Sequence, residues 1–140
     1  MCENYERIYD NAGLLESYER YVNVLKTVFG EHDFCEFNAL ACRAKSRCAM
    51  CYWRMGNEDS AFEALSEAVE YYKKHYRNPI QKFTDSWFKG LDFETGKTTD
   101  IYPEIFRDDF SADDLEDFRA DEKFNKLIED AEKFAEKYKI

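Results

Sequence analysis

Glycine and proline are the scarce residues of this chain, with five glycines and two prolines in 140 positions. So little turn-forming and helix-breaking material argues for long helices over a turn-rich β fold. Histidine is as rare, and neither His32 nor His75 completes a set of four zinc ligands with a cysteine pair. No apolar run approaches about 18 residues, which excludes a membrane-spanning helix, and the opening MCENYERIYD has no apolar signal region. A soluble, cytoplasmic chain is expected. Also missing are a phosphate-binding glycine loop, a nucleophile with an obvious base and a zincin pattern. The sequence therefore predicts no enzyme, no cofactor and no metal.

Basic residues are outnumbered, 20 against 30 acids, for a net charge of −10. The imbalance is local: residues 92–122 hold twelve acids against Lys97, Arg107 and Arg119, a net of −9. An acidic chain is a poor partner for a phosphate backbone, so no direct nucleic-acid binding is expected. The acidic run itself reads as a solvated face or loop. Hydrophobic residues at 44% and aromatics at 17% are enough for a core, and the length suits a single domain over 1–140.

Five cysteines, at 2, 35, 42, 48 and 51, are an odd number in a chain with no secretion signal. Reduced thiols are expected. Cys48-x-x-Cys51 has the look of a metal or redox pair, yet it falls mid-helix on a face that must be buried, where small thiols simply pack. A thiol or metal sensor on Cys42, Cys48 and Cys51 stays as the alternative. Both histidines read as surface residues.

What organises the chain is the stretch 41–74. Ala41, Ala44, Cys48, Cys51, Tyr52 and Met55 recur at helical spacing, and after Gly56-Asn57 so do Ala61, Phe62, Leu65, Ala68, Val69 and Tyr72. Gly56 suits a helix C-terminus that needs a left-handed residue, and Asn57 or Asp59 can cap the next helix. This is an αα-hairpin. Its Tyr52, Gly56, Ala61, Leu65 and Ala68, with Ala49 upstream, resemble a tetratricopeptide repeat, apart from Lys45 at a usually aromatic position and the lack of a closing proline. One such hairpin cannot bury its own apolar face, so packed neighbours are expected on both sides.

Upstream, residues 3–29 read as helix interrupted or kinked at Gly13, with Leu14, Leu15, Tyr18, Val22, Leu25, Val28 and Phe29 as the apolar stripe. Tyr9 and Gly13 repeat the spacing of Tyr52 and Gly56, which suggests a degenerate first hairpin within 1–77. Downstream, Asn78-Pro79 stops the helix. An irregular stretch near 78–100 follows, with Phe83, Trp87, Phe88, Leu91 and Phe93 packing back and a polar loop at 94–100. Residues 101–110 suggest a short helix with Pro103 in its first turn, inside an irregular acidic segment over 78–120. Asp121 caps a final helix over 121–140, where Phe124, Leu127, Ile128, Ala131, Phe134, Ala135 and Tyr138 keep one face. The expected fold is all-α, an αα-hairpin array of tetratricopeptide-like type with an irregular insert and a C-terminal capping helix.

Four blocks taken in order, VLKTVFGEHDF, RCAMCYWRMGNEDSAFEALSEAVEYY, KFTDSWFKGLDFE and DLEDFRADEKFNKLIE, resemble the C-terminal, tetratricopeptide-like region of clostridial transcriptional regulators that begin with an XRE-type helix-turn-helix domain. Nothing before Tyr5 could hold that domain, so the chain reads as a fragment or a stand-alone relative. The resemblance implies a regulatory or oligomerisation role with DNA binding located elsewhere. A scaffold or adaptor unconnected with transcription is the alternative.

In such arrays the first helix of each hairpin lines a groove. Carried onto this hairpin, the groove-facing set is Arg43, Ser46, Met50, Trp53 and Arg54, with Arg47 at the rim. Guanidinium groups offer paired donors to carboxylates, and exposed Trp and Met suit an interaction hot spot. The partner implied is a protein or peptide, and a symmetric homodimer is also compatible. In a competing reading the acidic residues 108–117 of the same chain fold over Arg43, Arg47 and Arg54.

Overall fold

The computed structural model describes residues 11–30, 34, 37–77 and 103–137. Among the described residues six α-helices run in chain order: α1 (Asn11–Phe29), α2 (Phe37–Arg54), α3 (Glu58–Arg77), α4 (Ile105–Asp109), α5 (Glu116–Ala120) and α6 (Glu122–Lys137). A single 3₁₀ turn, Asp113–Leu115, precedes α5, and no strand occurs among the described residues. The all-α expectation holds at that level.

The α2–α3 hairpin forms for the reasons its turn residues suggest. Gly56 adopts φ +81°, the Asn57 amide donates to the Tyr52 carbonyl at 2.9 Å and the Gly56 amide to that of Trp53 at 3.0 Å. This crossed pair satisfies carbonyls that the end of α2 would otherwise leave open. The Asn57 side chain then caps α3 by accepting the Ser60 amide at 3.3 Å. Acids Glu58 and Asp59 occupy the first turn of α3 and Lys74, His75 and Arg77 its last, each suited to the helix dipole there.

Small residues let the two helices close. Ala41, Cys48, Ala49, Ala61, Leu65, Ala68 and Tyr72 are all fully buried. On one side α1 packs against α2 with Leu14, Leu15, Val22, Leu25 and Phe29 buried. On the other, α6 packs against α3 through Phe124, Ile128, Ala131 and Ala135. Asp121 caps α6 as expected, accepting the Lys123 amide at 2.8 Å. The hairpin thus has neighbours on both faces.

Several expectations change. Gly13 does not end a helix: it lies inside α1, where its carbonyl accepts the Ser17 hydroxyl at 3.1 Å. Met55 is 49% exposed, because it sits at the turn beyond the helix face. His75 is buried, edge-on to Tyr76, and not a surface residue. Pro103 precedes α4 by two residues and so lies outside its first turn.

Between 105 and 120 the acidic run takes the face form of the expected face or loop, carried on short helices with an apolar inner side. Ile105, Phe106, Phe110, Leu115 and Phe118 are essentially without exposure. Phe118 sits among four rings, with centroids 4.5 Å from Trp53, 5.2 Å from Phe62, 5.6 Å from Phe110 and 5.2 Å from Phe124. The Arg119 guanidinium holds the bend before it, donating to the carbonyls of Phe110 and Ala112 at 2.7 and 2.6 Å. Most of the acids face water, Asp109 being half-buried, while the apolar residues between them complete the core. The expected first-hairpin residues before 11, the aromatic stretch and polar loop at 78–100, His32, Cys2, Cys35 and Tyr138 lie outside the described residues.

Candidate functional site

Helix α2 is unusual within this chain. Its sequence FNALACRAKSRCAMCYWR carries four cations and no acid, in a protein whose net charge is −10. Arg43, Arg47, Met50 and Arg54 fall at i, i+4, i+7 and i+11, so they form one stripe along the helix. From Arg43 to Arg54 that stripe spans about 16 Å at the helical rise.

The C-terminal end of the stripe is occupied by the chain itself. Arg54 holds Asp114 with two donors, Nε to Oδ2 at 2.6 Å and Nη2 to Oδ1 at 3.3 Å. Beside it, Trp53 is half-buried against Phe118. Met50 lies beneath, 2% exposed, and Ser46 is 1% exposed next to the Cys42 thiol. Those two side chains therefore present no outward surface.

The N-terminal end differs. Arg43, Ala44, Arg47 and Leu40 of α2 face Ser17, Tyr18 and Tyr21 of α1 around an open hollow of about 470 Å³. Tyr21 and Leu40 are exposed at 40% and 37%, two of the few large apolar side chains on the described surface. Asp109 lies within the influence of both guanidiniums. Its pKa is nonetheless raised, because half-burial disfavours the carboxylate more than Arg43 and Arg47 favour it. Of the six groove residues read from the sequence, the structure thus brings Arg43 and Arg47 to one hollow, gives Trp53 and Arg54 to the acidic segment and buries Ser46 and Met50.

Lys45, at the position where the repeat pattern usually has an aromatic, turns to the other side and pairs with Glu67 at 2.8 Å. Tyr52, the motif tyrosine, donates its hydroxyl proton to Glu19 of α1, and this bond to a carboxylate is the main cause of a phenol pushed up to about 12. The motif therefore ties α1 to α2 through a polar contact that hydrophobic spacing does not reveal. Tyr18, Tyr21 and Leu40 were also outside the expected set. Their signal was available in principle, since Tyr21 follows Tyr18 by three residues and Leu40 precedes Arg43 by three.

Cys42, Cys48 and Cys51 are buried free thiols. Among the described residues no group of three or more His, Cys, Asp or Glu side chains is placed to hold a metal ion, and no helix is long and apolar enough to cross a membrane. Compared with known protein families, curated proteins and solved structures, the chain matches none.

Proposed function

We propose that this chain is a non-catalytic interaction domain, a helical-repeat module of tetratricopeptide-like type that binds a protein segment or peptide or associates with itself. In this reading it corresponds to the regulatory part of a bacterial transcriptional regulator of the XRE kind. The observation that carries the proposal is the one-signed face of α2, whose Arg43 and Arg47 open onto the α1–α2 hollow beside exposed Tyr21 and Leu40. A cationic stripe with apolar walls in an otherwise acidic protein is suited to recognising another chain's carboxylates, and arginine and aromatic residues dominate such contacts. A free-standing scaffold without a link to transcription would use the same face.

The deciding experiment is a native mass spectrum of the protein purified under reducing conditions from its own host. An added peptide or protein mass on the monomer or dimer is the expected result. A dimer of unmodified mass would move the function to oligomerisation. Added zinc mass would overturn the structural role given to the buried thiols.

A further inference from the structure

Helix α1 carries more apolar surface than α2 covers. Beside its buried face, Ser17, Tyr21, Val24 and Val28 recur at i, i+4, i+7 and i+11, one stripe of about 16 Å along the flank. Tyr21 and Val24 are 40% and 55% exposed, and Leu40 of α2, 37% exposed, widens the patch across the hollow that it shares with Tyr21. Among the described residues the other large apolar side chain this exposed, Met55, stands apart at the hairpin turn. Resting on the interaction-domain reading, we infer that a second copy of this chain docks on the α1 flank, stripe against stripe, about a two-fold axis.

Charge selects the occupant. The stripe holds no ionisable side chain other than the Tyr21 phenol, and the charges around it are met within the chain. Glu16 pairs with Arg20, Glu19 accepts from Tyr52, and Arg43 and Arg47 lie within the influence of Asp109. The acidic excess is elsewhere: residues 103–137 carry thirteen acids and six bases, and α6 packs on the side of the hairpin opposite α1. A cationic partner is drawn to that end of the molecule. Two copies meeting through α1 instead hold their acidic ends apart and bury no unpaired charge. The stripe also matches itself. In an antiparallel two-fold pair, Tyr21 lies beside the second copy's Val24 and Ser17 beside its Val28, so each layer joins a larger and a smaller side chain and occurs twice. One helix pair is a small interface, so the association is weak and concentration-dependent.

The test is sedimentation equilibrium of the reduced wild-type protein over a range of concentrations, at low and at high salt. A reversible monomer–dimer equilibrium that holds or tightens as salt rises is expected, because salt screens the repulsion between like-charged copies. Val24→Asp should weaken the dimer about tenfold or more by placing a charge in an apolar contact. Tyr21→Lys should act in the same direction, and Met55→Asp should leave the dimer unchanged. All three positions are exposed, so the variants should melt as the wild type does. A dimer that salt dissociates, or one indifferent to Val24→Asp and Tyr21→Lys, would overturn this inference. So would a monomer at every concentration. A copurified protein mass on that monomer would leave the interaction reading standing, and a bare monomer would overturn both.

Discussion

Cys48 is fully buried at the α2–α3 seam, and removal from water pushes its thiol up to about 12. Cys42 shifts the same way, chiefly by burial, with Asp109 adding to it. Thiols react as thiolates, so alkylation of the native protein at neutral pH must wait for the seam to open. Peptide mapping after brief iodoacetamide exposure should find Cys42, Cys48 and Cys51 unlabelled in native protein and labelled in denaturant. Rapid native labelling would instead revive thiol sensing as a function. Two carboxylates of the acidic segment give opposite pH signatures. Asp114 has a lowered pKa, mainly through the hydrogen bond from Arg54. Its stabilisation is present above the unfolded value of about 4 and lost as pH falls through the lower folded value. Asp109 has a raised pKa, so its carboxylate costs stability at neutral pH, and the cost lifts as pH falls from the raised folded value towards about 4. Thermal melts across pH should therefore show Asp109→Asn more stable than wild type near neutrality, with the gain gone in acid. Asp114→Asn should be less stable near neutrality, with its deficit shrinking in acid. A neutral-pH loss for Asp109→Asn would mean that pairing with Arg43 and Arg47 outweighs burial.

At the scale of elements, the junction between hairpin and acidic segment separates packing from charge. Phe118→Ala empties the centre of a four-ring cluster at a fully buried position and is expected to cost about 3–5 kcal/mol. The Arg54–Asp114 pair is part-exposed, at 19% and 56% of the side chains, so Arg54→Ala should cost about 1 kcal/mol or less. Urea denaturation of both variants checks the order, and equal losses would mean that the ion pair anchors the segment. Gly56→Ala meets no atom within 4 Å of its new Cβ. Its cost is therefore backbone strain alone at φ +81°, about 1 kcal/mol, and a larger loss on the same urea curves would point to a clash that the open space does not contain. How far each element was legible follows from where its information sits. The hairpin was legible because Gly56, Asn57 and the alanine spacing are local, and local rules decide them. The segment 105–120 was legible on its solvated face only, because its dominant signal, charge, describes the outward half. Phe106, Phe110, Leu115 and Phe118 follow no single helical period, since a 3₁₀ turn and two five-residue helices carry them. Their burial depends on rings from α2, α3 and α6 that only the fold brings together. For the same reason the sequence placed Arg43 and Arg54 in one groove, while the fold gives them to two different environments.

For the molecule as a whole, the arrangement makes the C-terminal third part of one core with the hairpin. The Phe106 ring packs at a tilt against Tyr72, with centroids 5.1 Å apart, and the Tyr72 hydroxyl donates to the Pro103 carbonyl at 3.3 Å. Lys73 of α3 reaches Asp130 of α6, and Arg107 of α4 holds Glu132 of α6 through two donors. These surface ion pairs contribute little individually, but they close a frame around apolar side chains from three separate parts of the chain. A stack of helices loses stability when its terminal element is removed, because the uncovered face is apolar. In a chain ending at Arg77, Trp53 and Phe62 would lose the ring of Phe118, and Tyr72 that of Phe106. The full chain is expected to melt in one cooperative transition followed by circular dichroism. The shortened chain should show no such transition, with helix signal lost gradually and apolar dye binding at low temperature. A truncated hairpin that still melted cooperatively would show that α1 and the α2–α3 seam suffice. The acidic segment would then be a removable cover over Trp53 and Arg54, and the cationic stripe of α2 would be open along its whole length.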